Sequence, residues 1–415
     1  MLPKLITVLR DGYTLAHLRK DALSGLTVAI VALPLAMAIA IASGTTPDKG
    51  LITAIIAGFL ISALGGSRHQ IGGPTAAFVI VVYGVIQQHG YDGLLLATLM
   101  AGLLLLVAGL LRLGSLIRFI PNPVITGFTA GIAVTILSTQ VKDFFGLKLE
   151  TVPAEFIAKL AAYAGAAGSF QAITLLIALL ALGIIIALRL WRPAWPGFLI
   201  AIGIATLLVQ LLHLPVETIA DRFGAIPNSL PAPSLPAISA ARLLELLPSA
   251  ATIALLAGIE SLLSCVIADA MTGRKHRSNI ELVSQGVANI ASALFGGLPA
   301  TGALARTATN IRAGAHGPVS GMLHAAFLLV FMLALAPLAG LFPLAALAAL
   351  LVVVAWNMSE IHQIKRTAQG PWPDFLVLLL TLALTILLDL TIAIVVGTAL
   401  SYALKLLPQP PQHRA

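Results

Sequence analysis

Hydrophobic positions in this chain gather into long runs separated by short polar loops, and many runs approach the roughly 17–25 residues that cross a bilayer as a helix. In order they predict span 1 at Ala22–Ser43, span 2 at Leu51–Leu64, a short span 3 at Thr75–Gln88 and span 4 at Leu94–Leu111. Span 5 follows at Asn122–Val141, span 6 at Ala172–Leu188 and span 7 at Ala194–Leu212. His213 to Ser239 holds five of the 24 prolines and reads as a loop. Span 8 is then Pro248–Met271, span 9 Ile280–Leu294, a short span 10 Ala303–Arg312 and span 11 Pro318–Leu338. Spans 12, 13 and 14 are Pro343–Trp356, Asp374–Leu388 and Ile392–Leu406. The expected fold is an all-α polytopic membrane protein of 14 transmembrane segments in two 7-span repeats. A repeat with an odd number of spans is inserted upside down relative to its partner, as in many secondary transporters. The expected layout is an N-terminal arm at 1–21, a first inverted repeat at 22–212, an extracytoplasmic Pro-rich linker at 213–241, a second inverted repeat at 242–407 and a short tail at 408–415.

Two segments break the pattern. Gly65 to Phe78 reads GGSRHQIGGPTAAF, and Gly296 to Gly314 reads GGLPATGALARTATNIRAG. Each has a Gly-Gly pair and a further glycine or proline break before a short apolar helix, and they occupy matching places in the two halves. Such a pair is the best sequence pointer to a transporter site, because irregular backbone at membrane depth is tolerated only where protein covers it or it lines a cavity. The expected half-helices begin at Pro74, the start of span 3, and near Thr301 or Ala303 in span 10.

Composition agrees with the span pattern. The 415 residues are 59% hydrophobic and 10% charged, with a mean hydropathy of +1.01, too few charges to clothe a soluble surface. One cysteine, Cys265, excludes an internal disulfide and gives no metal cluster. The net charge of +8 is accounted for by loops. Seventeen of the 24 Lys and Arg residues fall on the inner side of the predicted topology, with Arg306 left inside span 10. The outer side holds six: Lys49, Lys142, Lys148, Lys159, Arg222 and Arg242. This positive-inside bias predicts a multi-pass protein of the cell (inner) membrane with both termini cytoplasmic, and no nucleic-acid partner. Met1 to Lys20 is polar and carries no cleavage site, so it is expected to be a cytoplasmic arm. Trp191, Trp195, Trp356 and Trp372 flank spans, as anchors to membrane lipids do.

The chemistry suggested by the broken segments is anion binding. A helix N-terminus offers unpaired N–H groups and about half a positive charge, and two such ends facing one cavity supply about one unit. Thr75, Thr301 and Thr307 could add hydroxyl donors. Arg306 adds a full charge that costs roughly 2.5–3.5 kcal/mol at membrane depth, so it marks a pathway or a partner. Glu260, near the middle of span 8 with Ser261 and Ser264 close by, reads either as an ion-pair partner of Arg306 or as a site for a coupling H⁺ or Na⁺. His324 in span 11 reads as a satisfied interior histidine. No spacing of His and Glu suits a metal, and no Ser/Lys or Asp/Asp pair lies at matched depth, so an enzyme is not expected and no cofactor is implied.

Three stretches carry a family resemblance: GGSRHQIGGPTAAFVIVVYG, FIPNPVITGFTAGIA, and the long run from Gly258 to Ala315 that contains GIESLLSCVIADAMTGRKHRSN. They resemble the SulP family of sulfate permeases and related anion transporters over nearly the whole chain. The resemblance implies a core domain of spans 1–4 and 8–11, a gate domain of spans 5–7 and 12–14, often a homodimer, and an anion held between the half-helices of spans 3 and 10. The substrate-binding residues would be Thr75, Ala76 and Ala77 on one side, Thr301, Ala303, Leu304 and Arg306 on the other, and Pro34 and Met37 from span 1. Glu260 and Ser264 would serve ion coupling, with Thr75 completing a candidate Na⁺ set. Two features depart from the family. Its cytoplasmic STAS domain is absent from this sequence, which stops at Ala415, and Leu35 stands where a polar residue usually follows the span 1 proline. Sulfate is the first expected substrate, followed by bicarbonate with Na⁺ and a C4-dicarboxylate with H⁺. An anion channel is the alternative of another class.

Overall fold

The structure is a computed structural model, and it describes residues 2–115, 121–149, 151–193, 195–388 and 390–406. The tail at 408–415 and the Ala194 start of span 7 lie outside the described residues.

The chain forms α1 (Lys4–Arg10), α2 (Leu15–Ala42), α3 (Pro47–Leu64), β1 (Gly72–Gly73), a 3-10 turn at Ala76–Phe78 and α4 (Val79–Leu110). Next come α5 (Asn122–Phe145), α6 (Phe156–Ala166), α7 (Ala172–Trp191), α8 (Gly197–Leu211) and the short α9 (Ile219–Phe223). The second half contains α10 (Ala240–Thr272), α11 (Ser278–Leu294), β2 (Thr301–Gly302), α12 (Leu304–Arg312) and α13 (Val319–Gly340). It closes with α14 (Leu344–Met358), α15 (Ile361–Ala368), α16 (Trp372–Leu387) and α17 (Leu390–Leu406). Among the described residues, eight helices are long and apolar enough to cross a membrane, and the shorter apolar stretches Gly197–Leu211, Trp372–Leu387 and Thr391–Leu404 accompany them. The protein is thus an all-α integral membrane protein.

Several boundaries moved. α4 takes in both span 3 and span 4 as two helices that meet at a kink at Gly90, whose φ of 69° and ψ of 179° are not helical and whose φ only glycine adopts readily. Span 8 begins earlier than expected, at Ala240, and runs through Pro248. The linker is not free of structure either. It holds α9, Thr218 bridges to Pro343, and its last two residues, Ala240 and Ala241, already belong to α10.

Packing is reciprocal between the halves. α4 packs on α11, and its counterpart pair, α13 on α3, repeats that contact with the halves exchanged. Likewise α10 on α4 mirrors α2 on α13. The α4–α11 contact depends on two glycines: a Cβ on Gly102 would sit 2.8 Å from the Gly286 carbonyl oxygen, and one on Gly286 would sit 2.7 Å from that of Gly102. Small residues let helix backbones touch where lipid gives no hydrophobic drive for association. A second set of helices, α5, α7, α14, α16 and α17, packs mainly on itself.

Candidate functional site

The two broken segments meet. β1 and β2 pair antiparallel, Gly72 opposite Gly302 and Gly73 opposite Thr301, so the approaches to both half-helices form one clasp. The Ala303 N–H extends it by donating to the Ile71 carbonyl at 2.8 Å. Gly73 is essential to this geometry: its φ is +148°, and Arg306 Nη1 occupies the place of a side chain, 2.0 Å from where a Cβ would stand.

Irregular backbone at this depth needs internal partners. Asn289 supplies two, donating to the Ala300 carbonyl and accepting from the Ala300 N–H, both at 2.8 Å. Thr53 Oγ1 accepts from the Leu298 N–H at 2.6 Å, and Thr307 Oγ1 accepts from the Ile71 N–H at 3.1 Å. On the other loop, Glu281 Oε2 accepts from the N–H groups of Gly66 and Ser67 at 2.8 and 3.1 Å. Glu281 Oε1 in turn accepts from Gln285 and Ser261. Gln70 joins this network by donating to Ser261 Oγ at 2.7 Å and accepting from the Cys265 thiol.

Beyond the clasp the two helix starts are left open. Thr75 is the N-cap of the Ala76–Phe78 turn, and its buried hydroxyl has no hydrogen-bond partner. Pro74 precedes that cap, so the expected start at Pro74 is corrected: the proline rigidifies the approach and Ala76 begins the turn. Ala76 and Ala77 are buried in the same apolar cluster as Met37 of α2. At the other tip Ala303 is the N-cap of α12, and the N–H groups of Leu304, Ala305 and Arg306 make no hydrogen bond among the described residues. Leu304 is 37% exposed, whereas Arg306 is 2% exposed.

Arg306 carries the site's charge. Its Nη1 donates a long hydrogen bond of 3.4 Å to the Gly72 carbonyl, while Nε and Nη2 have no partner. Among the described residues no carboxylate lies within ion-pair distance of it. The structure therefore does not pair Arg306 with Glu260, and that reading is corrected. Glu260 instead lies within electrostatic reach of a second carboxylate, Glu360, at the start of α15.

Other expected donors are already engaged. Thr301 Oγ1 donates to the Ala257 carbonyl at 2.8 Å, and Ser264 Oγ donates to Thr307 Oγ1 at 3.3 Å. Thr301 and Thr307 thus fasten the clasp and leave Thr75 as the free hydroxyl. Ser264 is tied to α12, while Glu260 stands one turn before it on α10, which packs against both helix starts. Pro34 and Met37 are buried on α2, the helix packed against α12. Among the described residues there is no group of three His, Cys, Asp or Glu suited to a metal ion.

His324 departs from the expectation of a satisfied core histidine. It is fully buried, neither ring nitrogen has a partner, and Arg306 is its charged neighbour. The residues that sequence reasoning missed are Glu281, Gln285, Asn289 and Gln70. The first three stand at i, i+4 and i+8 on α11, a buried polar stripe that helical periodicity exposes.

Two cavities lie beside these elements: one of about 600 Å³ is walled by α5, α7, α9 and α14, and one of about 260 Å³ opens between α2 and α4 on one side and α5, α6, α9 and α14 on the other. Neither is lined by Thr75 or Arg306.

The sequence model of the sulfate permease family matches residues 18–381. The chain belongs to that family. Sulfate permease relatives include the Bacillus subtilis (strain 168) protein named "Putative sulfate transporter YvdB", 45% identical over 94% of this chain and 74% of its own length. The bicarbonate transporter BicA of Synechocystis sp. (strain ATCC 27184 / PCC 6803 / Kazusa) is 34% identical over 92% of this chain and 68% of its own. Among solved structures, the transmembrane domain of a cyanobacterial BicA matches with a TM-score of 0.82 and 34% identity, covering 92% of this chain and 98% of that one. Murine Slc26a9 in its inward-facing state shares the fold, with a TM-score of 0.88 at 18% identity, covering 97% of this chain and 71% of that one. The sulfate permease family and these relatives are transporters, not enzymes.

Proposed function

We propose that this sulfate permease is a secondary transporter of a small oxyanion, sulfate first, held between the start of the Ala76–Phe78 turn and the start of α12. The observation that carries the reading is Arg306: among the described residues it is a buried guanidinium with two unpartnered nitrogens and no carboxylate beside it, on a helix turn whose first three N–H groups are free. A buried charge without a counter-charge is strongly unfavourable, and a mobile anion supplies one. Two helix ends plus Arg306 sum to about +2, and an ionised Glu260 lowers this to about +1. Neutralising Glu260 with H⁺ or Na⁺ would then suit a divalent anion, so cation co-transport becomes a matter of charge balance.

The set formed by α2, α3, α4, α10, α11, α12 and α13 would act as a core that moves against the remaining helices as a gate, exposing the anion alternately to the two sides. The clasp supports this, because it makes both helix tips part of one body. The protein would reside in the cell membrane with both termini cytoplasmic, and a homodimer is the proposed assembly. A second reading is bicarbonate transport, favoured by the 34% identity to the bicarbonate transporter BicA, with Na⁺ as its proposed coupling ion. The test is uptake into proteoliposomes of sulfate, bicarbonate, chloride and fumarate under imposed pH and Na⁺ gradients. Saturable sulfate uptake that Arg306→Ala abolishes supports the first reading, and Na⁺-dependent bicarbonate uptake alone supports the second. Conductance far above transporter turnover, or uptake unaffected by Arg306→Ala, overturns both.

A further inference from the structure

α6 is an amphipathic helix of unusual sense. Its apolar residues Ile157 and Leu160 are exposed, while its two buried residues are Lys159 and Tyr163, one turn apart on a single face. Lys159 is 2% exposed and lines the 260 Å³ cavity, yet its ammonium group makes no hydrogen bond or ion pair among the described residues. The Tyr163 hydroxyl is likewise buried without a partner, and it lies within electrostatic reach of Asp143 and Tyr83, which both line the same cavity.

Among the described residues the surrounding charges do not answer Lys159. Arg222 holds two carboxylates of the cavity walls, donating to Asp143 at 2.8 Å and to Glu217 at 2.9 Å. Lys142 is spent on the Leu149 carbonyl at 2.7 Å. The larger cavity shares Lys142, Asp143 and Arg222 with the smaller one and adds Lys148, so the two form one electropositive vestibule. Its α2 wall includes Ala38, the residue after Met37.

We propose that Lys159 and Tyr163 form a second anion-binding site, in which a small oxyanion docks in the vestibule before passing to Arg306. The charge of Lys159 would be answered by the anion's oxygens, with the Tyr163 hydroxyl, one turn along α6, as a further donor and the side-chain amides of Gln87 and Gln140 on the cavity wall. The ion being docked is the transported one, so this proposal rests on the reading above. The titratable groups that share the cavity wall with Lys159 are Lys142 and Asp143 of α5, Tyr83 of α4 and Arg222 of α9, with Tyr163 one turn along α6. Burial lowers the Lys159 ammonium to about 8, so its charge is present below that pH and fades above it.

The experiment measures initial rates of sulfate and bicarbonate uptake in proteoliposomes, with the anion presented from each face in turn. Lys159→Gln should raise KM about tenfold or more for anion presented on the α6 face, the loss of one charge-assisted hydrogen bond. KM on the opposite face should stay as in the parent. Tyr163→Phe should act in the same direction more weakly, and Lys159→Arg should restore the parent KM. The parent's KM on the α6 face should climb as pH passes 8, while that of Lys159→Gln stays flat. Should Lys159→Gln fail to fold, Lys159→Arg, which stays charged at every pH tested, must abolish the climb. Unchanged KM and an unchanged pH profile in these variants overturn the second site, even when Arg306→Ala stops transport. Uptake that survives Arg306→Ala counts instead against the central site.

Discussion

Gly73→Ala tests whether the clasp aims Arg306. The new methyl carbon would stand 2.0 Å from Arg306 Nη1 and 3.5 Å from the Ala54 Cα. Normal contact requires the guanidinium to retreat by more than about 1 Å, the size of misplacement that lowers a rate roughly 100-fold. That factor corresponds to about 2.7 kcal/mol of barrier. The retreat would also break the 3.4 Å hydrogen bond to the Gly72 carbonyl, already near its limit. Forcing a side chain to adopt φ +148° adds a backbone strain of about 1–3 kcal/mol. Against a typical stability of about 5–15 kcal/mol the fold survives while transport falls. Gly84→Ala is the matched control: it lies within α4, nothing stands within 4 Å of its would-be Cβ, and its uptake should equal that of the parent. The assay pairs initial uptake rates in proteoliposomes with thermal unfolding in detergent. Uptake by Gly73→Ala within twofold of the parent would refute the idea that the clasp positions the guanidinium.

Thr75→Val removes a buried hydroxyl that has no partner, so thermal stability should hold or rise while KM increases about 2- to 10-fold, the worth of one neutral hydrogen bond. An unchanged KM would take Thr75 out of the site. Glu260→Gln should abolish the dependence of uptake on an imposed H⁺ or Na⁺ gradient while anion binding persists; full dependence in the variant removes Glu260 from coupling. Glu281→Ala strands the Gly66 and Ser67 N–H groups and should cost several kcal/mol, at about 1–3 kcal/mol for each orphaned donor. A thermal midpoint equal to the parent's would show that the carboxylate does not hold that loop.

Hydropathy located the membrane helices because the apolar runs answer directly to the thickness of the hydrocarbon. The paired breaks were equally legible, since glycine and proline interrupt such runs wherever they fall. What hydropathy could not reveal is the clasp, because Gly72–Gly73 and Thr301–Gly302 are two residues long and have no strand-forming side chains. For the same reason the threonines could not be ranked: Thr75, Thr301 and Thr307 look alike in sequence, and only the Ala257 carbonyl and the Ile71 N–H show that two of them are occupied. Sequence alone leaves Glu260 with two readings, a partner for Arg306 or a coupling-ion site, and only three-dimensional placement sets the first aside, with Glu360 as the carboxylate within electrostatic reach. The stripe of Glu281, Gln285 and Asn289 was readable at helical spacing, but in a chain so apolar it was overshadowed by the single arginine.

The pairing of Gly72 with Gly302 also constrains how the protein is made. A ribosome delivers the first glycine pair to the membrane long before the strand that completes it has been synthesised. Until then those peptide groups, packed only against α3, lack their mate, a state that costs several kcal/mol for each group left unsatisfied away from water. Biogenesis should therefore stall in a loosely inserted first half that is open to proteolysis, and become resistant only when translation has passed Gly302.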